Sequence, residues 1–209
     1  MSQDETPISY FDRRLKIDAV KLLPGQYYVT ASNKALVTIL GSCVAACIYD
    51  EEKQIGGMNH FMLPDLTASS DITNSLATKY GVHAMNVLIS QLIRLGARKE
   101  KLVAKAFGGG KVVQGMVQQD IGNVNAEFVV QYLSNANIPL KSFDLKSNYA
   151  RKIYFFPSNG NVYMKRIRDF HNETLQNRES VHYKLLSEQA QSGEIPLSEA
   201  LYAYKSSGC

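Results

Sequence analysis

Two apolar runs of strand length, held apart by five polar residues, constrain this chain more than any other feature. The first is Gly41-Ser42-Cys43-Val44-Ala45-Ala46-Cys47-Ile48-Tyr49 and the second Ile55-Gly56-Gly57-Met58-Asn59-His60-Phe61-Met62-Leu63-Pro64, with Asp50-Glu51-Glu52-Lys53-Gln54 between them. Apolar runs joined by so short a polar string read as a β-hairpin. A turn centred between Glu51 and Glu52 makes paired residue numbers sum to 103, which sets Cys43 opposite His60 and Cys47 opposite Gly56. Opposed residues on one face of an antiparallel pair have Cβ atoms about 4.5 to 5.5 Å apart, close enough for a thiol and an imidazole to share a proton. A slip of one residue would send the two side chains to opposite faces.

The chemistry explains why those residue types matter together. A free thiol with a pKa near 8.5 is mostly protonated at neutral pH, and a neighbouring imidazole can take its proton, stabilise the thiolate and later return the proton to a leaving group. The residues alone equally admit a small buried thiol beside a hydrogen-bonded core histidine.

Several strings in fixed order add to this pair. They are Gly41-Ser42-Cys43-Val44, Gly57-x-x-His60-x-Met62-Leu63-Pro64, the seventeen-residue interval from Cys43 to His60, Lys79-Tyr80, Phe107-Gly108-Gly109, Ile121-Gly122-x-x-Asn125 and Asn148-Tyr149-x-Arg151-Lys152-x-Tyr154-Phe155. Together, over roughly residues 20 to 168, the chain resembles the CheD family of chemoreceptor glutamine deamidases. The resemblance implies an α/β sandwich, a Cys43 nucleophile, a His60 base, a Thr38 partner for the histidine, no cofactor, and the cytoplasmic domains of chemoreceptors as substrate. It also implies association with the phosphatase CheC. The family pattern Thr-x-Gly-x-Gly-Ser-Cys is one residue longer than Thr38-Ile39-Leu40-Gly41-Ser42-Cys43. Because a residue lost from a strand reverses its faces unless a bulge goes with it, Thr38 is expected to meet His60 only if the local path adjusts. Gly41 and Ser42 are candidates for binding substrate or an oxyanion, with the Cys43 amide. The same resemblance sets Gly108 and Gly109 beside the site, where missing side chains would admit a substrate chain.

The rest of the chain is read from pattern. At 209 residues, 45% hydrophobic and 20% charged, it suits one domain with one substantial core. No apolar run approaches a membrane span, and the acidic Met1-Ser2-Gln3-Asp4-Glu5 start is unlike a secretory signal, so a cytoplasmic protein without membrane insertion is expected. Three cysteines suit a reducing compartment, and four histidines without local ligand spacing argue against a zinc site. A net charge of +4 is scattered, and the Arg13-Arg14-Leu15-Lys16 cluster lacks interleaved aromatics, so nucleic acid is not implied.

Residues 1–20 read as a loosely held arm, 21–168 as the deamidase-like domain and 169–209 as an extension with a short helix over about 172–191 and no assigned chemistry. Gln26–Thr30, Ala35–Leu40, Leu102–Phe107 and Pro139–Leu145 read as strands, and 152–165 as a second hairpin about an Asn-Gly turn. Helical spacing covers 76–95, which carries the rival base His83, and about 121–136 after an Asp120 cap; Leu66–Ser75 is a polar loop. The order argues for a layered α and β domain with mixed and antiparallel strands and two longer helices. A cysteine peptidase or acyl transferase would use the same thiol and imidazole, and a non-enzymatic adaptor would use the same fold as a surface.

Overall fold

The computed structural model describes residues 6–63, 76–111, 121–167, 179–186 and 188. Its strands are β1 (Ile8–Asp12), β2 (Ile17–Lys21), β3 (Tyr27–Thr30), β4 (Ala35–Leu40), β5 (Val44–Asp50), β6 (Ile55–Asn59), β7 (Val103–Gly108), β8 (Leu140–Leu145), β9 (Ala150–Phe156) and β10 (Asn161–Ile167). Helices α1 (Leu76–Arg94) and α2 (Ile121–Asn135) lie between later strands, and a third helical segment, α3, covers residues 179–186. The Leu66–Ser75 loop, the Asp120 cap and Cys209 lie outside the described residues.

Two five-stranded sheets form, ordered β1-β2-β4-β9-β10 and β3-β6-β5-β7-β8. Each is antiparallel except for one parallel pair, β2 with β4 in the first and β7 with β8 in the second. Every residue of β5 is buried, because its two faces serve different layers. Val44, Ala46 and Ile48 face Met85, Leu88 and Val129 of the helices, whereas Cys43, Ala45 and Cys47 face the first sheet's Leu36, Leu40 and Phe155. The period of two that sorts a strand's side chains thus makes three layers: helices, second sheet, first sheet. This is the layered α and β domain expected from the sequence.

Two expectations change. Of residues 1–20, read as a loose arm, the stretch from Ile8 onward forms the hairpin β1–β2, in which Ala19 and Val20 are buried and β2 runs parallel to β4. The charges that suggested an arm concentrate at its turn, where Asp12 accepts the amides of Arg14 and Leu15. The β5–β6 register also differs from the expected one: Cys47 lies opposite Met58 and Val44 opposite Phe61, so paired numbers sum to 105. The cause is the turn. Asp50 accepts the amides of Glu52 and Lys53, and Gln54 takes a left-handed φ of 56°, closing four residues between Asp50 and Ile55. Arg98 pairs with the same carboxylate at 3.1 Å and holds it down to about 2, which fixes the turn from outside the hairpin. A shift of two preserves the faces, so Cys43 and His60 stay on one side as diagonal neighbours.

Candidate active site

Strand β4 belongs to the first sheet and β5 to the second, so Gly41-Ser42-Cys43 must cross between them. The crossing segment is braced by backbone. Gly109 donates to the Cys43 carbonyl at 2.8 Å and Gly110 to the Gly41 carbonyl at 2.7 Å. Gly108 has φ 118°, and a Cβ there would overlap the Cys43 carbonyl oxygen. The glycine run therefore makes room for the Cys43 backbone. Asn125 of α2 completes the brace: its amide donates to the Ser42 carbonyl at 3.0 Å while its oxygen accepts Leu63 N–H at 2.8 Å.

His60 follows β6 and leaves the β5 ladder. Its amide donates to Gln26 at 2.8 Å and its carbonyl accepts Gly25 N–H at 2.7 Å. On the ring, Nδ1 lies 2.8 Å from the Thr38 hydroxyl, which is itself 2.9 Å from the Leu22 carbonyl. The hydroxyl has one proton, and a carbonyl can only accept it, so the assignment that satisfies both contacts has Nδ1–H donating to Thr38. The remaining ring nitrogen, Nε2, is then the basic one, and it has no hydrogen-bond partner among the described residues. Thr38 reaches the site because β4 keeps its regular alternation through Leu40, with Leu36, Thr38 and Leu40 all facing the second sheet.

The cysteine thiol, the imidazole and the Glu179 carboxylate come together with their ligand atoms within 4.8 Å of one another. Glu179 lies on α3, 138 residues from Gly41. Its oxygens accept N–H of Gly41 at 2.9 Å, N–H of Ser42 at 3.0 Å and the Ser42 hydroxyl at 2.7 Å. Successive amides aimed at one point form a nest for an anion. Cys, His and Glu are donor types that also bind metals, but the carboxylate here is accounted for by three protein donors.

All three groups are shut away from water: Cys43 is 0% exposed, His60 1% and Glu179 3%. Burial, and then the facing Glu179 carboxylate, push the Cys43 thiol well above its ordinary value. Burial lowers His60 to about 3, with His182 of α3 adding to it, and lowers His182 itself to about 4. Cys47, on the same face and also fully buried, is raised by desolvation. His83 is half-buried on α1.

Of the residues singled out from the sequence, Thr38, Cys43 and His60 meet in one cluster, Gly41 and Ser42 turn their amides to its anion, and Gly108 and Gly109 lie beneath it. Sequence reasoning missed Glu179 and His182, which stand in a polar stretch with no local pattern. Asn125 was visible in the Ile121-Gly122-x-x-Asn125 string, although its bracing role was not.

Comparison with known proteins gives the family. The family described as "CheD chemotactic sensory transduction" matches residues 62–166. The "Probable chemoreceptor glutamine deamidase CheD 1" of Shewanella oneidensis is 46% identical over 193 residues, covering 91% of this chain and 93% of that protein. The protein of the same description from Dechloromonas aromatica is 46% identical over 188 residues, 90% of this chain and 92% of its own. The "Probable chemoreceptor glutamine deamidase CheD" of Methylobacillus flagellatus is 47% identical over 189 residues, covering 90% and 93%.

Proposed function

This chain belongs to the CheD family, and from that premise we propose that it is a protein-glutamine deamidase that converts specific glutamines of chemoreceptor cytoplasmic domains to glutamate. The observation that carries the reading is the Thr38–His60 hydrogen bond of 2.8 Å, which leaves Nε2 as the basic nitrogen, without a partner among the described residues, on a ring that lies within 4.8 Å of the Cys43 thiol.

His60 Nε2 takes the Cys43 proton, and the thiolate attacks the side-chain carboxamide carbon of the glutamine. The carbonyl oxygen gains negative charge, which the Gly41 and Ser42 amides stabilise in place of the Glu179 carboxylate they hold here. Collapse of the tetrahedral adduct breaks the C–N bond; His60 returns its proton to the departing ammonia, and a thioester remains. His60 then takes a proton from water, whose oxygen attacks the thioester, and glutamate leaves with Cys43 restored. Nδ1 stays bonded to Thr38 throughout, so the ring does not have to choose a tautomer at each step. No cofactor enters the scheme.

The product differs from its substrate by one negative charge on a receptor helix, enough to bias a two-state signalling element. Reaction on receptors also implies a cytoplasmic setting, and no described helix is long and apolar enough to cross a membrane. Association with CheC belongs to the same reading and rests on family membership alone.

Intact-mass analysis of a purified receptor cytoplasmic domain tests the reaction class. Each event should add about 1 Da and release ammonia without new termini, and Cys43→Ala and His60→Ala should each abolish the shift, because nucleophile and base act as one unit. Receptor fragments would indicate a peptidase. A mass shift that survives Cys43→Ala would refute the assignment.

A further inference from the structure

The structure shows a site already filled from within. Glu179 lies where the mechanism brings a glutamine side chain: against the Gly41 and Ser42 amides and within 4.8 Å of the thiol and imidazole. Its functional group, a side-chain carboxylate on two methylenes, is that of the reaction product. We propose that Glu179 is a built-in product analogue, and that the enzyme rests closed until α3 withdraws and frees the carboxylate position for a receptor side chain.

Three further observations support this. First, α3 is seated across the site and not merely touching it. Leu186, 4% exposed, joins the inter-sheet core that includes Cys43, Met58 and Met62, and the His182 ring packs on Gly25, whose amide donates to the His60 carbonyl. Second, Cys43 at 0% and His60 at 1% exposure leave no way in for a glutamine borne on a receptor helix. Third, the carboxylate opposes thiolate formation, since a thiol facing an anion and removed from water is held protonated. Removing α3 reverses both the burial and the unfavourable charge. The same chain also presents Val181 and Leu185 at 57% and 52% exposure on the outer side of α3, so this helix is not fully committed to the core it covers.

The inference rests on the deamidase reading for the identity of the analogue, but occlusion itself is tested without turnover. Iodoacetamide alkylation of Cys43 is followed by peptide mass mapping in the full chain, with Cys47 as the buried control. Glu179→Ala should raise the Cys43 rate about tenfold or more, as the thiol regains solvent and loses the facing anion, and leave Cys47 unreactive. If that variant also exposes Cys47, Leu186→Ala keeps the carboxylate, loosens the same helix and should give the selective gain. An unchanged or lower Cys43 rate with Cys47 still protected overturns the proposal.

Glu179→Gln then asks whether the occupant lies as the product does. A glutamine in that position is a substrate in cis: it should lose ammonia and gain about 1 Da on standing, and the double variant with Cys43→Ala should not. Faster alkylation with receptor turnover but no such gain refutes the product-like placement and leaves occlusion standing. Faster alkylation with neither reaction refutes the deamidase reading instead. Receptor deamidation with unchanged alkylation refutes the occlusion.

Discussion

Replacing Thr38 by valine removes one hydroxyl and almost no volume at a position 1% exposed, so its effect isolates the two hydrogen bonds that the oxygen makes. Both former partners, the Leu22 carbonyl and His60 Nδ1–H, remain buried. An unsatisfied buried group costs about 1 to 3 kcal/mol, so Thr38→Val, which strands two, should lower stability by about 2 to 6 kcal/mol and Tm by roughly 4 to 24 °C. The kinetic effect is separate. Without an acceptor for Nδ1–H, the imidazole distributes between tautomers and ring orientations, and only part of that population offers Nε2 to Cys43. Loss of one supporting bond of ~1.4 to 2.7 kcal/mol corresponds to a ten- to hundredfold fall in turnover. Deamidation of a receptor cytoplasmic domain, followed by intact mass well below the variant's Tm, measures it. Thr38→Ser keeps the oxygen and should recover most of the rate, and the acid limb of the pH–rate profile should move in Thr38→Val but not in Thr38→Ser. Unchanged turnover in Thr38→Val, with the profile also unmoved, would show that another group orients His60.

Three other outcomes follow. Gly108→Ala should disrupt the crossing segment, since a Cβ at φ 118° overlaps the Cys43 carbonyl; a cost of about 3 kcal/mol or more and loss of turnover are expected, and a variant of native Tm and rate would refute the packing argument. Asn125→Leu should uncouple Ser42 from Leu63, lowering kcat at a retained fold as judged by circular dichroism, because it strands the Ser42 carbonyl and the Leu63 amide. Stability should also fall with acid. His60 and His182 are held neutral, at about 3 and about 4 against an ordinary value near 6.5, so the unfolded chain binds protons first as pH drops. Their contribution is intact above pH 6.5 and declines from there to about pH 4 for His182 and about pH 3 for His60, by on the order of 5 kcal/mol for both at pH 4.5. His182→Gln should flatten the decline, and a Tm that does not change between pH 6.5 and 4.5 would contradict the burial of both rings.

The sequence by itself determined the parts of this protein that depend on local pattern. Alternation and helical spacing marked β4, β7, β8, α1 and α2 within one or two residues, and the polar string after Tyr49 marked the hairpin that carries Cys43 and His60. Parity did the rest, since a two-residue shift in register leaves both side chains on one face. The shift itself came from Asp50, whose carboxylate organises the turn and is held by Arg98 from another part of the chain. Only tertiary structure decided how Thr38 reaches the imidazole, because β4 and β6 lie in different sheets and the distance between them is set by packing of the layers. It likewise decided that Gly108 serves the Cys43 backbone. Glu179 is the extreme case: a glutamate in a polar stretch has no distinguishing neighbours, and it becomes part of the site only because Leu186 and His182 seat α3 over the crossing segment. Long-range docking of a short helix leaves no periodic trace at the position it delivers, so that contact is absent from the sequence and present in the fold.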